Sequence, residues 1–317
     1  MCDAELLLCD EDANACVSCT EHEQCASGAC ELAVGRCFPE DVVVHVDQDG
    51  GQDFSSVTVA VGSIGDGMAG VIVVHEAGMD GLTAYQGLVQ VDGGKTIALL
   101  AAAGEAPILQ GTGVNPGVRA QDAETTLYVD GIGISGNAGG VGLEVDGATA
   151  GVDRSRIDDN NGGGVQAQSM ANLTLRNCFV GGIAADVDAI ALNEADLTML
   201  YTTVGGGSVV SGRTRALFCD GASVASVRNS ILVSLDTMSE VECPTVTLTT
   251  SATEAEVGFS AAWFDGYAAG EFSLSASGMT TFEGLAQWQA GDPATDIDGD
   301  ARPDVDGTAD YAGADVP

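Results

Sequence analysis

Positive charge is what this chain has least of. Only 10 of its 317 residues are Lys or Arg, Lys95 being the one lysine, against 47 Asp and Glu, for a formal net charge of −37. Nucleic-acid binding, which needs basic side chains to neutralise phosphates, is excluded; acidic lipid surfaces and polyanionic glycans are disfavoured on the same ground. Histidine is scarce too, with His22, His45 and His75 the full set. With no Gly-x-Ser-x-Gly elbow either, a Ser-His-Asp hydrolase is not expected. Aromatic residues make up 5%. No run of 18 apolar residues occurs, so no transmembrane helix is expected. The apolar stretch 4–8 is too short for a signal-peptide core, which reads as a mature form with Met1 added for expression. Neither a leucine-rich consensus nor a helical run is present.

What the chain does have is small residues, 44 of them Gly, and 45% hydrophobic content, enough for a real core with tight turns. It also has a repeat. The segments Val129–Ile134, Val152–Ile157, Leu175–Val180, Met199–Val204 and Val227–Leu232 align without gaps, with first residues 23, 23, 24 and 28 apart. A fixed period in the twenties marks a solenoid, in which each repeat buries its apolar face on its neighbours. Further short strands follow the Gly turns, at Val141–Leu143, Val165–Ala167, Ile190–Leu192 and Ala216–Phe218. The reading is an all-β fold, a right-handed parallel β-helix with a period of about 23 and nine or ten coils. The first, fourth and sixth columns are apolar or small and should point inward. The second (Asp130, Asp153, Arg176, Leu200, Arg228) and third (Gly131, Arg154, Asn177, Tyr201, Asn229) should face solvent, with Asp153 and Arg176 pairing as a structural ladder.

The cysteines divide the chain. Seven of ten fall in the first 37 residues, and such density implies disulfides and an oxidising compartment. Cys9, Cys16, Cys19, Cys25, Cys30 and Cys37 allow fifteen pairings, among which spacing does not choose. Cys2 is left over, readable as the lipid-bearing residue of a lipoprotein or as an extra disulfide partner. Cys219 and Cys243 lie one period apart and could bridge adjacent coils, while Cys178 falls in an inward column as a buried thiol. Three regions result: a disulfide module over 1–39, the β-helix over 40–260, and a C-terminal cap with an Asp-rich tail over 261–317.

The stretch CVSCTEHEQCASGAC resembles the Cys-rich modules at the N-termini of secreted and surface proteins of myxobacteria and their relatives. DQDGGQDFSSVTVAV, from Asp47, resembles the entrance of pectinesterase-type β-helices in the pectin-lyase-like superfamily, a likeness continued at Lys95–Leu99 and Pro107–Gly111. The ending Asp296-Ile297-Asp298-Gly299-Asp300-Ala301-Arg302-Pro303, with Asp310–Asp315, resembles that of bacterial extracellular β-helix proteins. These resemblances imply a secreted or outer-surface protein.

Several places are candidates for chemistry. Asp296, Asp298, Asp300, Asp304 and Asp306 alternate around glycines in a way that can wrap calcium, and Asp47, Asp49 and Asp53 are a second such set; a solvated tail is the other reading. The long interval at Gly205–Arg215 is an extruded loop carrying Arg213 and Arg215, readable as a ligand contact or as a plain insertion. Trp263, Phe264, Tyr267, Phe272 and Trp288 read as an end cap or, alternatively, a sugar platform. Asp158-Asp159-Asn160-Asn161-Gly162 reads first as a turn. A calcium-dependent polysaccharide lyase would draw on Asp130, Asp153, Arg154 and Arg176, but no lyase motif overlies them, and the catalytic motifs of pectinesterases do not appear. The expectation is a non-catalytic extracellular protein for adhesion or glycan binding; a polysaccharide lyase and a structural surface component are the alternatives.

Overall fold

The computed structural model describes residues 7–10, 15–78, 83–181, 187–207, 215–234 and 239–317. One coil shows how the rest is built. The strand Thr126–Asp130 ends at a sharp corner, Gly133–Ser135 runs along a second face, Leu143–Asp146 along a third, and Thr149–Asp153 begins the next coil. Each strand lies parallel to its counterpart one coil on, giving sheets of nine strands (sheet I, from Val43–Val46 to Val246–Thr249), eight (sheet II, from Tyr85–Gln86 to Ala252–Thr253) and seven (sheet III, from Val89–Val91 to Val241–Glu242). The fold is a parallel β-helix of about eight turns, roughly 40 Å long at the usual strand spacing. That is fewer coils than the nine or ten expected, because the solenoid stops at Thr253 and because the entrance is partly helical.

The repeat alignment coincides with the strand register. Val129, Val152, Leu175, Met199 and Val227 are successive partners in sheet I, and all are buried in the main core. Their column extends back to Leu99, Ile72 and Val44 and forward to Leu248. Fourth-column residues also point inward and stitch the coils through short side chains. Ser155 Oγ accepts from Ile132 N at 3.2 Å, and Ser230 Oγ from Thr202 N at 3.1 Å. Cys178 takes the same place as a free, buried thiol, pushed by burial up to about 12.

The third column is where expectation and structure part. It faces solvent only in part. Gly131, Arg154, Asn177, Tyr201, Asn229 and Thr250 all have φ between 44° and 69° and turn the chain from sheet I to sheet II. Gly and Asn enter this left-handed region most easily, so the column was marked in the sequence by Gly131, Asn177 and Asn229. Asn177, Tyr201 and Asn229 are buried, because other parts of the chain cover the corner.

Two units provide that cover. The disulfide unit, bridged at Cys19–Cys30 and Cys25–Cys37, lays Ala29 and Phe38 on the outer face of sheet I against Val71, Ala98 and Tyr128. Cys16 is also disulfide-bonded and stands opposite Cys9 in a short antiparallel pair. Cys2 lies outside the described residues. The C-terminal region does not plug the end of the solenoid. It folds back along the side, where Trp263, Phe264, Tyr267, Phe272 and Trp288 pack with Phe179, Tyr201 and Ile231 of the coils in a second core. Those aromatics are buried, so they form no exposed sugar platform. Amide side chains of the corner dock this flank: Asn177 Nδ2 donates to Thr295 O at 3.0 Å and Asn229 Nδ2 to Gln287 O at 2.9 Å. The far end stays open, and Leu248 on the last sheet I strand is 41% exposed. The near end is closed by the helix Val57–Ser63, which puts Val57, Ala60 and Val61 into the main core. The Cys219–Cys243 bridge ties neighbouring coils across a Cα–Cα distance of 4.5 Å.

Close approach of flank to coil depends on missing side chains. A Cβ on Gly205 would lie 2.5 Å from Phe272 Cζ and 3.0 Å from Tyr267 Cε2. Gly205→Ala is therefore expected to cost about 1–3 kcal/mol by overpacking. Because both tryptophans sit in the flank, their fluorescence should report its loosening, while the β-sheet dichroism of the solenoid persists.

Candidate functional site

The corner between sheets I and II is where charged residues gather. Asp130, Asp153 and Arg176 are stacked partners in the second column. Arg154, one residue past Asp153, folds back so that its Nε donates to Asp130 Oδ1 at 2.9 Å, and its Nη2 also pairs with Asp130 and with Glu23 of the disulfide unit. Arg176 repeats the arrangement one coil later: Nε donates to Asp153 Oδ2 at 2.8 Å, while Nη1 and Nη2 donate to Glu21 at 3.1 and 2.6 Å. From the flank, Asp298 accepts from Arg156 at 2.7 Å and Asp292 from Arg228 at 2.8 Å. All four residues named for a lyase are thus brought together, but as a ladder rather than an open catalytic face. Asp130 and Asp153 are only 6% and 5% exposed; the second column does not face solvent as expected, since the two flanking units roof it.

Electrostatics argue against a proton-abstracting arginine here. Burial alone would favour neutral guanidinium, but Asp130, Glu23 and Asp153 more than offset it and hold Arg154 well above its ordinary value. Arg176 is likewise burdened by burial and still raised by Asp153 and Glu21. A base must release its proton in the working range, and these groups are held more firmly charged than free arginine. Burial lifts the carboxyls of Asp153 and Glu21, with Arg176 pulling the other way.

The remaining cations are also occupied. Nine of the ten basic residues are described, and each of the nine has a carboxylate partner within 4.0 Å. Arg215, expected as a ligand contact, is held by Asp188 at 2.7 Å and by Glu242, and lies 4.1 Å over the Phe218 ring. Arg213 lies outside the described residues. Arg302 is buried between Asp310 (3.1 Å) and the Tyr201 ring (3.9 Å).

The calcium candidates are placed as turn-formers. Asp296 is buried, and its carboxylate accepts from the backbone N–H groups of Asp298, Asp300 and Val316 at 2.8–2.9 Å. Asp306 accepts from Ala290 N, Asp298 pairs with Arg156, and Asp300 and Asp304 are exposed. Asp47 and Asp53 accept from Asp49 N and His45 N. Among the described residues neither set gathers three carboxylates at ligating distance.

Beside the ladder a groove of about 600 Å³ opens between the disulfide unit and the flank. Its floor is apolar, made by Leu100 to Ala103, and its polar rim includes Glu23, Arg154, Arg156 and Asp298. A second space of about 390 Å³ continues past Glu21, Asn177 and Thr295. Glu21, Glu23, Asp292 and Asp298 were not foreseen as site residues. They reach the corner from up to 155 positions away in the chain, and no local pattern marks that meeting. His22 borders the groove too; its Nδ1 accepts from Cys30 N at 3.0 Å, and burial lowers its proton affinity.

The disulfide unit matches a family profile described as a family of unknown function (DUF8331), over residues 1–43. No curated protein matches the chain. Among solved structures the chain is similar to the pectin methylesterase from Aspergillus niger, at 13% identity and a TM-score of 0.30, over 68% of this chain and 84% of that one. At that identity and TM-score the likeness carries no argument about fold or chemistry.

Two outcomes follow from the ladder. Arg176→Met leaves Asp153 buried without its cation and should cost about 3–5 kcal/mol in urea unfolding, part of which the further change Asp153→Asn restores. Asp315 is buried under the flank and accepts from Leu274 N at 2.7 Å; burial pushes its carboxyl up to about 6. A raised acid favours the fold while protonated, so its contribution is complete below the unfolded value of 3.8 and is lost as pH rises through about 6. Thermal melts should show Asp315→Asn stabilising relative to the parent at neutral pH but not near pH 4.

Proposed function

We propose that the chain is a non-catalytic glycan-binding protein of the cell exterior, with the groove between disulfide unit and flank as the binding site. The observation that carries this reading is the neutralisation of every described guanidinium by a carboxylate of the same chain. A groove with no spare positive charge, in a molecule of net charge −37, suits a neutral polyhydroxylated ligand better than a uronate polymer. An apolar floor with fixed, planar donors and acceptors around it is the usual form of a small-ligand site. Carboxylates and guanidiniums already locked in bidentate pairs present their remaining lone pairs and N–H groups without further ordering cost. Disulfides in three places support an oxidising, extracellular location. Among the described residues no helix is long and apolar enough to cross a membrane.

Binding of neutral oligosaccharides, measured by calorimetry after a glycan-array screen, is the expected result, with uronate oligomers not bound. Ala103→Trp fills the groove without touching the ladder and should abolish that binding while leaving the melting temperature unchanged. Unsaturated products released from a uronic-acid polysaccharide, or glycan binding undiminished in Ala103→Trp, would overturn the proposal.

A further inference from the structure

Two of the three histidines meet where the solenoid begins. His45 lies on the first sheet I strand, and His75 directly follows the second. The two strands pair in parallel, and His75 N donates to Val46 O at 2.9 Å, so the residues sit one coil apart on the same corner. Their rings face each other, with His45 Nδ1 and His75 Nε2 3.2 Å apart. The far nitrogen of His75, Nδ1, is 3.0 Å from Glu105 Oε1, contributed by the following coil. The other oxygen of Glu105 accepts from Glu76 N, which fixes the carboxylate in turn. Tyr85 holds the backbone beneath by donating to His75 O at 2.8 Å.

We propose that His45 Nδ1 and His75 Nε2 form a two-imidazole site for a first-row divalent transition ion of the zinc class. Three features carry it. First, two nitrogens bound tetrahedrally at 2.0–2.1 Å stand about 3.3–3.4 Å apart, close to the 3.2 Å between these rings, so the ion can take the place of their direct contact once each ring turns to aim its lone pair at it. Second, a metal-bound imidazole characteristically gives its other N–H to a carboxylate, which sets its tautomer and raises its basicity; Glu105 is placed to do this for His75. Third, both donors stand on stacked coils held by sheet hydrogen bonds, so the pair is preorganised. Imidazole donors favour zinc, copper and nickel over calcium and magnesium, which separates this site from the aspartate sets. The third histidine does not compete: His22 is buried and its Nδ1 is taken by Cys30 N. Two protein ligands leave the remaining positions of the ion to water and to any ligand brought to it. Glu105 also borders the groove, so the ion would stand next to the glycan site without being part of it.

The test is zinc titration of the intact chain, followed by calorimetry and by the ring 15N resonances of its histidines. Stoichiometric binding is expected, with two of the three sets of ring resonances shifting and the third unmoved. Glu105→Gln should weaken binding by about 10–100-fold, and the double variant His45→Gln, His75→Gln should remove it. Retention of zinc by the double variant, or binding without movement of two ring signals, would assign the ion to surface carboxylates and overturn the proposal, as would failure to bind. The ring shifts need no variant, so misfolding of a mutant does not blur the answer. Glycan binding is measured separately, so either result can stand without the other.

Discussion

In-register stacking of one coil on the next is the constraint from which the rest of this molecule follows. Parallel strands repeat at about 4.8 Å, so every side chain has the same column's residue directly above and below it. Inside, this is satisfied by apolar ladders such as Leu99, Val129, Val152 and Leu175. Outside, stacking is a hazard for an acidic chain, because neighbouring carboxylates repel. Asp130 and Asp153 are such neighbours, and Arg154 and Arg176 interleave with them. The ladder thus answers a problem that the fold itself creates.

That ladder also explains how two units that are not part of the solenoid are held to it. The guanidinium of Arg176 has donors left over after it pairs with Asp153, and Glu21 takes them; Arg154 does the same with Glu23. On the other side Asp298 and Asp292 meet Arg156 and Arg228. The corner column supplies amide groups, through Asn177 and Asn229, that meet flank backbone directly. Burial makes the Arg176–Asp153 and Arg228–Asp292 pairs obligatory, since removing the cation strands a carboxylate away from water. The groove is what remains between two units anchored on one edge, and its walls inherit from the ladder guanidiniums that are all paired, with carboxylates in excess.

Much of this frame was legible in the sequence. Period, strand positions and inward columns came from the recurrence of Val, Leu and Ile at intervals of 23 or 24, and the structure keeps that alignment residue for residue through sheet I. The pairing of Asp153 with Arg176 was also readable, because stacking turns positions 23 apart into neighbours. The corner conformation was half-readable: Gly131, Asn177 and Asn229 signal a left-handed turn, but Arg154 and Tyr201 in the same column hide it.

What composition and periodicity determined, then, is the solenoid, since a repeat carries its own partner information one period away. What only the tertiary structure decided is everything that joins positions unrelated by that period. The aromatic residues near the C-terminus form a lateral core instead of an end cap, because glycines at 181 and 205 leave room on the side of sheet II for Phe272. Much of the second and third columns is buried instead of solvated, because the disulfide unit, whose Glu21 lies 155 positions from Arg176, and the flank fold over the same edge. The His45–His75 pair has a spacing of 30, outside the 23-residue rule, because the helix Val57–Ser63 lengthens the entrance coil and because His75 stands beyond Val73, the strand partner of His45. A local pattern records which neighbours a coil needs; it does not record which distant surface will settle on the outside of that coil, because that contact depends on shape and charge assembled only when the coils have stacked.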